Sequence, residues 1–152
     1  MKRLLALLLV AATPALSQPT PAANVAILNP QGSISATGPW GLAARTGNML
    51  YIAGMRGIDP ATNQLVQGDE ARIRQAYRNM IHIAASAGAK PEGAVRLVVY
   101  VTDMYRFRPI ANKVQEEIWG RGPYPPRSII EVQRLNQDDI LEVEGTFAIP
   151  PG

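Results

Sequence analysis

Residues 69–101, DEARIRQAYRNMIHIAASAGAKPEGAVRLVVYV, join the clearest helix of the chain to its clearest strand. Ile73, Ala76, Tyr77, Met80, Ala84 and Ala87 recur at three- and four-residue intervals, which predicts one apolar stripe along a helix over Asp69–Ala87. Asp69 and Glu70 stand where the positive end of that helix favours acid, and Gly88 is placed to stop it. His82 lies about half a turn away from the stripe and is expected to face solvent. Ala94–Val101 is apolar and β-branched, the mark of a central strand buried on both faces.

Downstream, Pro109 suits a first helical position and Ile110, Val114 and Ile118 form a row, predicting a second helix over Pro109–Trp119. Gly120–Pro126 reads as a loop, and two closing strands follow over Arg127–Val132 and Ile140–Ile149. Upstream, Leu42–Thr46 and Met49–Ala53 flank Gly47-Asn48 as a hairpin, with a short strand at Val25–Leu28 and a turn at Asp59–Asn63. The order β-β-α-β-α-β-β predicts an α+β fold with both helices on one face of the sheet.

Residues 1–17 stand apart from this pattern. Lys2 and Arg3, the apolar run Leu4–Ala12 and the small-x-small triplet Ala15-Leu16-Ser17 form the three-part pattern of a secretory signal peptide cut near Ser17–Gln18. The expected mature protein is periplasmic or secreted, with no membrane segment left after cleavage. Residues 18–35 read as a Pro-rich linker and N-terminal extension, and residues 36–152 as one domain of the 152-residue chain. Without residues 1–17 the formal charge falls from +3 to +1, because that stretch holds two basic and no acidic side chains. A near-neutral domain lacks the basic footprint of a nucleic-acid binder. The chain has no cysteine and one histidine, which excludes disulfides, thiol nucleophiles and a His or Cys metal cluster.

Period-2 alternation sorts the closing strands. Arg127, Ile129 and Glu131 point one way and Ile130 and Val132 the other; Glu142 and Glu144 oppose Leu141 and Val143. Matching the apolar sides predicts one polar sheet face bearing Arg127 and three glutamates, either solvated or covered by a second subunit as a pocket. Arg127 follows Pro125-Pro126, which fix the strand's start. Its planar fork of donors matches a carboxylate in two parallel hydrogen bonds, and a nearby glutamate can hold or deprotonate a water.

In order along residues 36–149 stand Gly38-Pro39-Trp40, Gly47-Asn48-Met49, Ala53-Gly54, Asp59-Pro60-Ala61-Thr62-Asn63 and Asn79. Ala87-Gly88-Ala89, Val98–Asp103, Phe107, Pro126-Arg127-Ser128, Glu131-Val132, Leu135 and Val143-Glu144 complete the series. With these motifs the chain resembles the Rid family, the reactive intermediate deaminases of YjgF or RidA type. The resemblance implies a chorismate-mutase-like, YjgF-like fold, a homotrimer, and active sites in clefts between subunits. It also implies hydrolysis of 2-imino or 2-enamino acids to 2-oxo acids and ammonia. On this resemblance the carboxylate-binding arginine is Arg127 and the water-positioning glutamate is Glu144, with Trp40, Ala53, Gly54, Ser128 and Ile129 lining the substrate. No metal or cofactor is called for, because an imine is already electrophilic. The chain departs from the family in having Trp40 for tyrosine, Ala53 for serine and Ile129 for cysteine, and its family asparagine falls on Ala111 or Asn112. A second function class, a non-catalytic trimer that binds small carboxylates, would use the same Arg127.

Overall fold

Strand β6 (Ala94–Val101) organises the sheet, with a parallel neighbour on one side and an antiparallel one on the other. The computed structural model describes residues 24–151, so the export reading of residues 1–17 lies outside the described residues. Six strands form the main sheet in the order β1-β2-β3-β8-β6-β7. They are β1 (Val25–Leu28), β2 (Ala43–Thr46), β3 (Met49–Arg56), β6, β7 (Arg127–Glu131) and β8 (Leu141–Ala148). A small hairpin, β4 (Ile58–Asp59) with β5 (Gln64–Leu65), closes around the turn expected at Asp59–Asn63. Five strands thus precede the first helix, three of them in the main sheet, where the expected order has two. β1 pairs with β2 through all of its residues, which makes residues 25–28 part of the sheet.

Helix α1 (Asp69–Ser86) has the expected limits, with Asp69 and Glu70 in its first turn. Gly88 takes φ +83°, the left-handed turn that ends a helix and that glycine adopts without a Cβ penalty. Its expected stripe is buried from Ile73 to Ala84, joined by Asn79 and Ile83, while Ala87 caps the helix and is half-buried. Asn79 donates to the carbonyls of Arg56 and Ile58 at 3.0 and 2.7 Å, tying α1 to the end of β3. His82 is exposed, against the Gln31 carbonyl oxygen.

Helix α2 (Met104–Trp119) begins earlier than the proline signal suggested, and Pro109 lies inside it. The start is set by Asp103, whose side chain accepts the Arg106 N–H at 3.0 Å as an N-cap. Its buried row is accordingly Phe107, Ala111 and Val114, while Ile110 and Ile118 are only half-buried. Among the described residues no helix is long and apolar enough to cross a membrane.

Both helices pack on one sheet face. Leu50, Ile52, Leu97, Val99, Val101, Leu141, Val143 and Phe147 meet Ile73, Tyr77, Met80 and Ile83 there in one buried cluster. Each fully buried Leu, Ile or Val contributes roughly 1.5–3 kcal/mol. The other face is open. Ile27, Tyr51 and Ile130 lie on it with 62, 48 and 44% of their surface exposed, more apolar area than a solvated sheet face needs. On the open side of β6 Arg96 is exposed, Val98 buried and Tyr100 half-buried, so Leu97–Val101 is buried throughout only on its helix-covered face.

Candidate functional site

The ladders around β6 decide where the candidate residues point. Leu97 pairs with Arg127 on β7 and with Gly145 on β8; Val98 pairs with Ser128 and Glu144; Tyr100 pairs with Ile130 and Glu142. Paired residues share a face, so Arg127, Ile129 and Glu131 lie on the helix-covered side with Leu97, Val99 and Val101. Glu142 and Glu144 lie on the open side. The single polar face expected from the sequence does not exist, since the parallel register of β7 against β6 turns its alternation over relative to β8. Glu131 has a structural role instead: its carboxylate accepts the Met104 N–H at 2.8 Å, at the start of α2.

Arg127 sits at the sheet's edge beneath α2. Its Nη1 donates to Gln115 Oε1 at 2.9 Å and its Nη2 to Asn112 Oδ1 at 2.7 Å. Two neutral amides thus fix the plane of the guanidinium without cancelling its charge, and donors remain on both nitrogens. Among the described residues it pairs with no carboxylate within salt-bridge distance. It faces an open depression of about 290 Å³ shared with Asn112, Gln115, Glu116, Tyr124 and Pro125. Behind it lies the fully buried Tyr77, whose hydroxyl is pushed up in pKa by burial and down by the Arg127 charge. Of the two candidates Ala111 and Asn112, the first is in the core and the second bonds the arginine.

A second depression, of about 300 Å³, opens on the other side of the sheet and is lined by Thr37, Trp40, Ala53, Gly54, Arg56, Asn136 and Glu142. It gathers three of the expected substrate-lining residues around a glutamate, and that glutamate is Glu142. The ladder slips between Ile52 and Met55, so Ala53 and Gly54 form a bulge there. The Glu142 carboxyl group lies over Gly54 so closely that a Cβ at residue 54 would collide with it. Burial raises the pKa of Glu142; Arg56 opposes that rise, and Glu144 and Asp139 add to it. Glu144 instead borders a smaller hollow of about 150 Å³ with Tyr51, Arg96, Val98 and Thr146. Tyr100 lies against both glutamates, and burial followed by their charges raises its pKa.

The structure therefore separates the sequence-derived site. Trp40, Ala53 and Gly54 come together; Ser128 is exposed on the open face; Ile129 is half-buried on the covered face; Glu144 occupies a different hollow. The sequence reading did not single out Glu142, Arg56, Asn112 and Gln115, which line the two depressions. For Glu142 the signal was present, since it stands two residues before Glu144 and shares its face. For the others only the ladders and α2 reveal the placement.

The family model described as Endoribonuclease L-PSP matches residues 31–149. The chain belongs to this family, the Rid proteins. A solved structure from Rhodopseudomonas palustris, described as a probable translation initiation inhibitor, is 47% identical with a TM-score of 0.81, covering 84% of this chain and 100% of that one. A 2-iminobutanoate/2-iminopropanoate deaminase of Dermatophagoides farinae is 32% identical over 74% of this chain and 87% of its own length. Escherichia coli TdcF, solved with bound serine, is 26% identical with a TM-score of 0.76, covering 82% of this chain and 99% of that one. The Rid fold explains the two helices on one face of a mixed sheet and the open, partly apolar face opposite.

Proposed function

We propose that this Rid protein is a hydrolytic deaminase that converts reactive 2-imino and 2-enamino acids to 2-oxo acids and ammonia. The observation that carries the reading is the Arg127 guanidinium, clamped by Asn112 and Gln115 at an open depression and lacking a carboxylate partner among the described residues. A planar, pre-oriented cation of this kind fits the carboxylate common to all 2-imino acids. Relatives named as deaminases and one solved with a bound amino acid support the same ligand class.

The opposite facing of Arg127 and Glu142 supports a site shared between subunits. In the proposed homotrimer the β7 edge of one subunit meets the open face of the next, which covers Tyr51, Ile130 and Ile27 and joins the two depressions. Arg127 of one subunit then pairs with the substrate carboxylate and fixes the C=N carbon. Glu142 of the neighbour takes a proton from water as the water oxygen bonds to that carbon and the C=N π bond breaks, and the imine nitrogen receives that proton from Glu142. The resulting carbinolamine expels ammonia and leaves the 2-oxo acid. Glu142 replaces Glu144 in the water-holding role because it shares a cleft with Trp40, Ala53 and Gly54.

Steady-state hydrolysis of 2-iminopropionate and bulkier 2-imino acids, generated in place and trapped by semicarbazide, tests the activity. Accelerated loss of the trapped imine is expected. Binding of 2-oxo acids with no turnover would assign the chain to the non-catalytic class. Residues 1–17 are proposed to direct export, and N-terminal sequencing of the mature protein checks cleavage near Ser17.

A further inference from the structure

We infer that Arg56 is a positioning residue, the cation that holds the Glu142 side chain as a carboxylate inside the Trp40–Gly54 depression. The inference rests on the assignment of Glu142 as the water-holding group and adds how that group is kept in its working state.

Arg56 and Glu142 are direct partners across the β3–β8 ladder, and both line the same depression. Opposite charges so placed on one face attract, and the attraction strengthens as water is excluded. Arg56 is only 5% exposed, an unusual position for a charged residue with no ion-pair partner within 4 Å among the described residues. It cannot swing away to solvent, since its Nη1 donates to the Asn136 carbonyl at 2.7 Å and to Gln137 Oε1 at 3.0 Å. Both acceptors are neutral, which leaves the charge directed into the cleft. Asn79 fixes the backbone below by donating to the Arg56 carbonyl.

The surroundings of Glu142 show why such a cation is needed. Glu144 stands two residues along β8, Tyr100 faces it from β6, and Asp139 lies just before the strand. Burial and the two neighbouring carboxylates favour the protonated acid, which cannot accept a proton from water; Arg56 alone opposes them. Asp139 also feels the Arg56 charge, beside its own partners, the Ile140 N–H at 2.7 Å, the Gly57 N–H and Arg72 at 3.9 Å. A structural strut for the 136–137 segment would need only the hydrogen bonds of Arg56, whereas the inferred role needs its charge.

Carboxyl-selective NMR titration of the full-length protein, with labelled glutamate and E142Q to assign the signal, separates these roles. In Arg56→Gln the Glu142 midpoint should rise by on the order of one pH unit, while Arg56→Lys should keep it near the wild-type value. The acidic limb of the kcat/KM profile for imine hydrolysis should move with it. Arg56→Met provides the same neutral test if the glutamine variant does not fold. A folded neutral variant with an unmoved Glu142 midpoint overturns the inference. A wild type without imine turnover would overturn the functional reading alone, because the titration reads Arg56 without any activity.

Discussion

Arg127 and Glu142 point to opposite faces of one sheet: Arg127 is paired with Leu97 and Glu142 with Tyr100, residues of opposite parity on β6. A chain so built presents the proposed carboxylate-binding cation and the proposed water-holding base on different faces of one copy. The consequences are testable one residue at a time.

Replacing Arg127 with alanine removes the proposed carboxylate contact. Loss of a partly desolvated bidentate pair costs about 2–5 kcal/mol, so kcat/KM should fall roughly 30- to 5,000-fold. Arg127→Lys should recover little, because an ammonium cannot make the planar two-point contact. The thermal midpoint should hardly change, since Arg127 bonds the helix only through Asn112 and Gln115. Unchanged turnover with a dissociated assembly would make Arg127 an interface strut.

Glu142→Gln should lower kcat by about 10²–10⁴-fold with little change in KM, as expected for a group that moves a proton. Glu144→Gln should have a far smaller effect. The same variant carries a stability signature. Burial raises the Glu142 pKa in the folded state, so its contribution to stability is present below the unfolded pKa and lost as pH rises through the folded one. E142Q escapes that loss, and its melting temperature relative to wild type should be higher near about pH 7 than near about pH 4. A kcat unaffected by E142Q but lost in E144Q would restore Glu144 to the site.

Much of this was legible in the sequence. The α1 stripe, the Gly88 stop and the hairpin at Gly47-Asn48 follow from local periodicity and turn chemistry. What was hidden is relational. A two-residue alternation says that Arg127 and Ile130 oppose each other, yet only the parallel register of β7 on β6 says which of them meets α2. The start of α2 was misread because Pro109 is a strong local signal, while the Asp103 cap competes with it and wins. The meeting of Glu142 with Ala53-Gly54 in one depression depends on the bulge there, which no periodicity marks.

Gly54→Ala tests that bulge. The added methyl would occupy the space of the Glu142 carboxyl group and force it aside. A displacement of this kind should lower kcat by about 10²-fold while the protein remains folded. Wild-type kcat in the folded alanine variant would show that the carboxyl group is not held against Gly54 during turnover.

Asn79→Ala should destabilise the domain by about 2–4 kcal/mol, because the buried carbonyls of Arg56 and Ile58 lose their donor. Urea unfolding measures the loss. A change within about 0.5 kcal/mol would mean that those carbonyls find other partners.

Complementation between two inactive variants tests the shared site most directly. Arg127→Ala and Glu142→Gln are purified separately, unfolded and refolded together in equal amounts, and assayed for imine hydrolysis. If each site takes Arg127 from one subunit and Glu142 from its neighbour, random trimers hold intact sites at about one quarter of the wild-type number, and activity should return to about that level. Mixed trimers that assemble yet stay as inactive as their parents would contradict the account.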